Sequence, residues 1–186
     1  MIAIRAATPE DAGAIAAIYA PHVLTGTVSF ETEPPDARAM RTRMGASEGL
    51  YPWIVATNGD PTGGVIGYAY ATRFRDRPAY RYVCETSIYM ADVAQGQGAG
   101  RLLYDALIDT LRAQGFVHAI GAIALPNEGS IKLHESVGFR RAGVYREVGF
   151  KHGRWIDVGI WQAELNEPSV PPVEPRKFSD VGVVRD

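Results

Sequence analysis

Between residues 95 and 114 the chain passes from a glycine-rich turn directly into its most strongly patterned helix. The turn reads Gln95-Gly96-Gln97-Gly98-Ala99-Gly100. Behind it, Leu102, Leu103, Ala106, Leu107 and Leu111 recur at helical spacing until Gly115 supplies a stop. A strand-like run over residues 82–90 precedes the turn. A strand, a glycine turn and a helix in that order aim several backbone N–H groups at one point at the helix N-terminus, which is an anion site. Glycine suits such a turn because a phosphate approaches the backbone closely only where no Cβ intervenes. A Walker loop is excluded, since no Lys followed by Ser or Thr comes after the glycines. The dinucleotide fingerprint fails because Arg101 stands where its third glycine belongs. A pyrophosphate loop for coenzyme A and a plain surface turn remain.

The rest of the chain builds a mixed α+β pattern around this unit. Residues 1–5 read as a short strand, and Thr8-Pro9-Glu10-Asp11 as a helix start whose apolar face is Ala12, Ile15, Ile18 and Tyr19. Pro21 is expected to end that helix, and a second is expected from Asp36 to about Ala46. Strands over residues 53–56 and 65–70 flank the turn chemistry of Asn58-Gly59-Asp60-Pro61, as in a hairpin. A strand over residues 118–124, a helix over residues 128–137 closed by Gly138, and strands near residues 139–144 and 157–165 complete the set. From Glu167 onward, Pro168, Pro171, Pro172 and Pro175 disfavour helix and ladder, so residues 167–186 read as an extended tail behind a domain of residues 1–166.

At 186 residues, 46% of them hydrophobic, the chain is long enough to bury a core without staples. No apolar run approaches the roughly 20 residues of a membrane span, and no export signal is visible at the N-terminus. A net charge of −2 provides no general attraction to nucleic acid or an anionic membrane. The four histidines lie far apart and never pair at i, i+4 or beside the single cysteine, Cys84, so no metal centre is expected. One cysteine also excludes an internal disulfide and suits a reducing cytoplasm.

A second motif follows the glycine turn: Asn127-Glu128-Gly129-Ser130-Ile131-Lys132-Leu133-His134-Glu135-Ser136-Val137-Gly138-Phe139. With both motifs present, residues 4–165 resemble the GNAT superfamily of N-acetyltransferases. Within it, Thr27-Val28-Ser29-Phe30, Leu133-His134-Glu135 and the block over residues 151–159 resemble the phosphinothricin and methionine sulfoximine acetyltransferases. The resemblance implies a central, mostly antiparallel sheet that splays between its fourth and fifth strands. It also implies acetyl-CoA as cosubstrate, a small amino-acid-like amine as acceptor, direct attack without an acyl-enzyme, and a homodimer.

The same resemblance distributes roles over this sequence. Gln95, Gly96, Gln97, Gly98, Ala99 and Gly100 are expected to hold the pyrophosphate, the backbone of Ile88, Tyr89 and Met90 to pair with the pantetheine, and Asn127 to face it. Acetyl transfer needs an ammonium deprotonated and a thiolate reprotonated. Glu85 is the only carboxylate in residues 80–91 and is expected to be the base. His134 stands where much of the superfamily has a tyrosine, and base, acid or hydrogen-bonding wall are all open to it. Arg75, Arg77 and Tyr80, from an arginine-rich loop, are expected to line the acceptor pocket with Phe30 as its apolar wall. Guanidinium forks suit carboxylate, phosphinate or sulfonyl oxygens. They oppose a cationic acceptor, which weighs against a polyamine or protein N-terminal acetyltransferase. A non-catalytic acyl-CoA sensor would have no need of Glu85 or His134, and a nicotinamide oxidoreductase lacks its acidic ribose partner here.

Overall fold

The structure is a computed structural model that describes residues 2–46, 48–59 and 62–185. Seven strands form one sheet in the order β1-β2-β3-β4-β5-β7-β6: β1 Ile2–Ala6, β2 Trp53–Asn58, β3 Val65–Arg73, β4 Val83–Met90, β5 His118–Ala124, β6 Arg140–Lys151 and β7 Arg154–Glu164. All neighbours are antiparallel except β4 and β5. The turn between β2 and β3 passes through Asp60 and Pro61, which lie outside the described residues.

Successive strand residues face opposite sides, and each side buries its own layer. On one face, Ile54, Ala56, Ala69 and Cys84 pack under Leu103, Leu107 and Leu111 of α3, Ala99–Gln114. On the other, Trp53, Val55 and Tyr68 pack under Ile15, Tyr19 and Val23 of α1, Ala12–Leu24, and Met40 of α2, Ala37–Gly45. Burying one such aliphatic side chain contributes about 1.5–3 kcal/mol. Asp36 caps α2 by accepting from the Ala39 N–H at 2.7 Å, and Gly115, at φ +96°, ends α3 in the left-handed region.

The β4–β5 ladder is short. Val83 to Thr86 pair with His118 to Gly121, after which β4 stays with β3 as far as Met90 and β5 stays with β7 as far as Ala124. The sheet therefore splays between its fourth and fifth strands, as expected. Its apex is bolted by hydroxyls: Thr86 Oγ1 donates to the Ile120 carbonyl at 3.2 Å and lies 2.8 Å from the Tyr104 hydroxyl of α3.

Two local expectations are corrected, and the tail gains a docked turn. Pro21 does not end α1, which continues to Leu24. Proline removes one donor, but the next turn keeps its value because Val23 is buried and the Thr25 N–H and hydroxyl both donate to the Pro21 carbonyl at 3.0 Å. The last two strands are far longer than expected, because His152 and Gly153, at φ +50° and +74°, close a tight hairpin between β6 and β7. Beyond β7, the chain crosses back over the N-terminal ends of β4 and β5 and docks on α3: the Arg176 N–H donates to the Gln114 carbonyl at 2.8 Å, and the single helical turn α5, Phe178–Val181, packs Phe178 against the core.

Candidate active site

The fork in the sheet opens into a cleft of about 630 Å³, bordered by Ile88, Tyr89 and Met90 of β4 on one wall and by Asn127, Ser130 and Leu133 on the other. Its end is closed by the glycine turn. Gly96 and Gly98 have φ of +74° and +79°, a conformation L side chains rarely adopt, and a Cβ on either would meet no protein atom. The turn thus leaves open space above itself. Gly98 is the N-cap of α3 and offers no side chain, so the first N–H groups of the helix point into that space without intrahelical partners. An anionic group is the natural occupant.

The β4 wall presents backbone. From Ser87 onward its β5-side edge has no strand beside it, which leaves N–H and C=O groups for a ligand to pair with. The side chains of Ile88 and Met90 turn to the α3 core, and Tyr89 turns the other way, edge-on to Tyr19 at 4.9 Å. Across the cleft, Asn127 caps α4, Glu128–Ser136: its Oδ1 accepts from the Ser130 N–H at 3.0 Å. Asn127 is both a helix cap and a cleft residue. A long, partly polar cleft with a strand edge along it and a helix N-terminus at its end fits the pantetheine and pyrophosphate of coenzyme A. Among the described residues no group of His, Cys, Asp and Glu is arranged to hold a metal ion.

Glu85 and His134 lie on opposite faces of the sheet near the apex of the fork. Glu85 alternates with the core residue Cys84 and so faces the α1 side; among the described residues its carboxylate accepts no hydrogen bond. Burial pushes its carboxyl above the usual range, and the Arg75 guanidinium opposes that shift. His134, only 4% exposed, lies on the α3 side against Gly121, where a Cβ would come within 2.7 Å of its ring. Its Nδ1 is 2.8 Å from the Ser130 carbonyl. A carbonyl only accepts, so Nδ1 carries the proton and Nε2 keeps its lone pair. Burial also lowers the imidazole pKa, the Ser130 bond partly offsetting it, and the ring is neutral at neutral pH.

The residues expected to line the acceptor pocket come from distant segments. Phe30 is half-exposed and packs over Gly149 of β6, where a Cβ would overlap its ring. Its neighbours are anchored. The Ser29 carbonyl accepts from the buried Lys151 ammonium at 2.6 Å, the Ser29 hydroxyl meets Tyr19 at 2.7 Å, and Glu31 takes both ends of the Arg43 fork at 2.8 Å. Arg75 lies over the Phe74 ring at 4.8 Å, and Tyr80 meets the same ring edge-on at 5.7 Å. Arg77 caps the 3-10 turn Pro78–Tyr80 and is exposed. The structure thus brings Arg75 toward Glu85, and holds Arg77 and Tyr80 on the same loop without joining them to Phe30.

The sequence reading assigned no role to four residues, though Val28 and Lys151 fall within blocks that carry the resemblance. His22 and Val28 line the cleft beside Tyr89, which required α1 to continue past Pro21. Lys151 and Arg43 anchor the Phe30 loop, and their pairing across the fold leaves no local signal.

Comparison with known proteins agrees with this geometry. The family description "Acetyltransferase (GNAT) domain" matches residues 4–160. A phosphinothricin N-acetyltransferase of Alcaligenes faecalis is 45% identical over 166 residues, 88% of this chain and 82% of that protein. An L-methionine sulfoximine/L-methionine sulfone acetyltransferase of Pseudomonas aeruginosa is 36% identical over 175 residues, covering 91% and 98%. A GNAT superfamily phosphinothricin acetyltransferase from Sinorhizobium meliloti, solved in complex with AcCoA, superposes with a TM-score of 0.85 at 39% identity, over 94% of this chain and 92% of that one.

Proposed function

From the premise that the chain belongs to the GNAT acetyltransferase family, and is therefore an acetyl-CoA-dependent N-acetyltransferase, we propose that its acceptor is the primary amine of a small amino-acid analogue of the phosphinothricin, methionine sulfoximine or methionine sulfone type. The observation that carries this reading is the pairing of a backbone-lined cleft with a half-buried carboxylate, Glu85, that faces an arginine. The relatives named for phosphinothricin and methionine sulfoximine support the same acceptor class.

In this reading Glu85 takes a proton from the acceptor ammonium, directly or through a water. Burial raises its pKa, which strengthens it as a base, and the Arg75 guanidinium opposes that rise and so favours the carboxylate form the base needs. The freed amine attacks the thioester carbonyl, the oxyanion that develops is met by a backbone N–H of the open β4 edge, and as the adduct collapses the C–S bond breaks and the thiolate takes up the second proton that the nitrogen sheds on becoming an amide. His134, neutral and with Nδ1 committed to Ser130, is no proton donor at neutral pH. Its role is a wall that accepts a hydrogen bond at Nε2. Arg75 and Arg77 grip the acceptor's anionic or sulfonyl oxygens, Tyr80 flanks them, and Phe30 forms the apolar wall. Cys84 is fully buried with its thiol pushed up by burial, which suits a core residue and not a nucleophile.

The reading extends to a homodimer in the cytoplasm. Support for the dimer comes from the β6–β7 hairpin, which exposes Tyr145, Val148, Phe150 and Trp155 together, each at least half exposed; light scattering tests it. Support for the compartment comes from a sequence whose single cysteine forms no internal disulfide and from dependence on an intracellular acetyl donor. The functional test is thiol release from acetyl-CoA across amino acids, their phosphinate, sulfone and sulfoximine analogues, and a polyamine. Turnover on the analogues with none on the polyamine is expected. The reverse order would replace this acceptor assignment.

A further inference from the structure

We propose that Glu174, in the segment beyond β7, is a positioning residue for the acceptor: it clasps the loop between β3 and β4 and fixes the turn that presents Arg77 and Tyr80. The proposal rests on the reading that this loop binds the acceptor.

The clasp is one guanidinium used at all three nitrogens. Arg81 donates from Nε and Nη2 to the Glu174 carboxylate, at 2.8 and 2.6 Å, while its Nη1 donates to the Pro78 carbonyl at 3.0 Å. Pro78 opens the 3-10 turn Pro78–Tyr80. A planar fork cannot bend between its ends, so the turn is held at a set distance from the tail. The Tyr82 hydroxyl adds a third donor to Glu174 at 3.0 Å, and the Arg81 guanidinium lies 4.4 Å from the Tyr82 ring centroid. The pairing with Arg81 holds the Glu174 carboxyl below its usual range.

The tail end of the clasp is itself fixed. Two residues on, Arg176 is bound to α3 through its main chain: its N–H donates to the Gln114 carbonyl at 2.8 Å, and its own carbonyl accepts from the Gln114 side-chain Nε2 at 2.7 Å. Gln114 is buried and donates as well to Leu50. The loop end is weak without support. Among the described residues, the hydrogen bonds and ring contacts of residues 74–80 stay within the loop and its stem: Tyr80 N–H to Arg77, Arg81 N–H to Pro78, Phe74 to Tyr80, Arg75 over Phe74. An isolated exposed ion pair contributes little. A bidentate pair joined to a third donor and a stacked ring is the arrangement in which it contributes. Losing it frees a loop whose arginines must be aimed, and misaim raises the acceptor's Michaelis constant without touching the cleft.

The test compares the full-length parent with Glu174→Ala, Glu174→Gln, Arg81→Ala and the double alanine variant, using methionine sulfone as acceptor. Hydrogen exchange at the Tyr80 and Arg81 amides should quicken in Glu174→Ala. The KM for methionine sulfone should rise about 3- to 10-fold, with the KM for acetyl-CoA and the thermal midpoint unchanged. Glu174→Gln should recover part of the loss by keeping an acceptor for Tyr82, and the double variant should add little to either single one. Unchanged exchange at these amides overturns the clasp itself. Faster exchange with an unchanged acceptor KM overturns the positioning role and traces the failure to the acceptor-loop reading. A joint rise of both KM values with a lower thermal midpoint overturns it in favour of a general structural contact.

Discussion

The two sides of the forked sheet are built by different means. On the cofactor side, the hydrogen-bonding groups left open along the cleft are mainly main chain: the open β4 edge from Ser87 to Met90, the left-handed turn at Gly96 and Gly98, and the N-terminus of α3. On the proposed acceptor side they are side chains carried by three separate segments: Phe30 held by Lys151, Arg75 and Arg77 on a loop tied to Glu174, and Glu85 alone on its strand. A main-chain site binds what every member of a family shares, and is hard to damage by one substitution except at its glycines. A side-chain site can be retuned one residue at a time.

The sharpest way to break that contrast is Glu85→Gln, which removes one proton acceptor and leaves the cleft intact. Turnover should fall by about 10²- to 10⁴-fold with the KM for acetyl-CoA held, as steady-state kinetics would show. In the parent, activity should rise with pH through the raised Glu85 pKa, because the carboxylate and not the acid is the base. That limb should vanish in the variant. A similar rate and the same limb in Glu85→Gln would move the proton to His134 or to solvent.

Arg75→Ala and Arg77→Ala follow in size. A charge-assisted hydrogen bond of about 1.5–3 kcal/mol corresponds to a loss of roughly 10- to 150-fold in kcat/KM for the acceptor. Isothermal calorimetry should meanwhile find coenzyme A binding unchanged. Lysine at either position should restore only part, since it keeps charge and loses the fork. Equal acceptor kinetics in both single variants and the double variant would make the loop a solvated surface.

The cofactor side answers to a different substitution. Gly98→Val forces a β-branched residue into φ +79°, at a cost of about 1–2 kcal/mol, and sends its side chain into the space kept for the anion. Coenzyme A affinity should fall by at least about 10-fold while the acceptor KM at saturating acetyl-CoA stays put. Unchanged calorimetric affinity in a folded Gly98→Val would reduce the turn to a surface loop.

The same contrast explains what could be read from the sequence. The glycine turn and α3 are local: Gln95 to Gly115 carry their own stop signals and their own chemistry, and the structure keeps them where the spacing puts them. β6 carries none. Its residues are almost all exposed, so it shows no alternation, and it becomes a twelve-residue strand only because β7 pairs with it across the His152-Gly153 turn. Lys151 to Ser29 and Glu174 to Arg81 join segments far apart in the chain, and no window of sequence contains both partners. Pro21 shows the converse failure, a strong local rule overruled by the burial of Val23.

The smallest expected effect is thermodynamic, and it separates the two buried titratable groups by sign. Glu85 has its folded pKa raised, so between the unfolded value near 4.5 and that raised value the native state holds more protons than the unfolded one, and stability falls as pH rises through the window. His134 has its folded pKa lowered, so between that lowered value and the unfolded value near 6.5 the unfolded state holds more protons. Its contribution is fully present above that range and is lost as pH falls through it. Glu85→Gln abolishes the first dependence and leaves the second. The thermal midpoint of Glu85→Gln should therefore exceed the parent's at pH 7 and converge with it at pH 4, because the loss from His134 below pH 6.5 acts on both proteins and the parent alone offsets it as Glu85 takes up its proton. At about 2–4 °C for each kcal/mol in a chain of this length, differential scanning calorimetry resolves the gap. A midpoint for Glu85→Gln that tracks the parent's at every pH would mean that Glu85 ionises in the native protein as it does in the unfolded chain, and would remove the electrostatic ground for giving it the base's role.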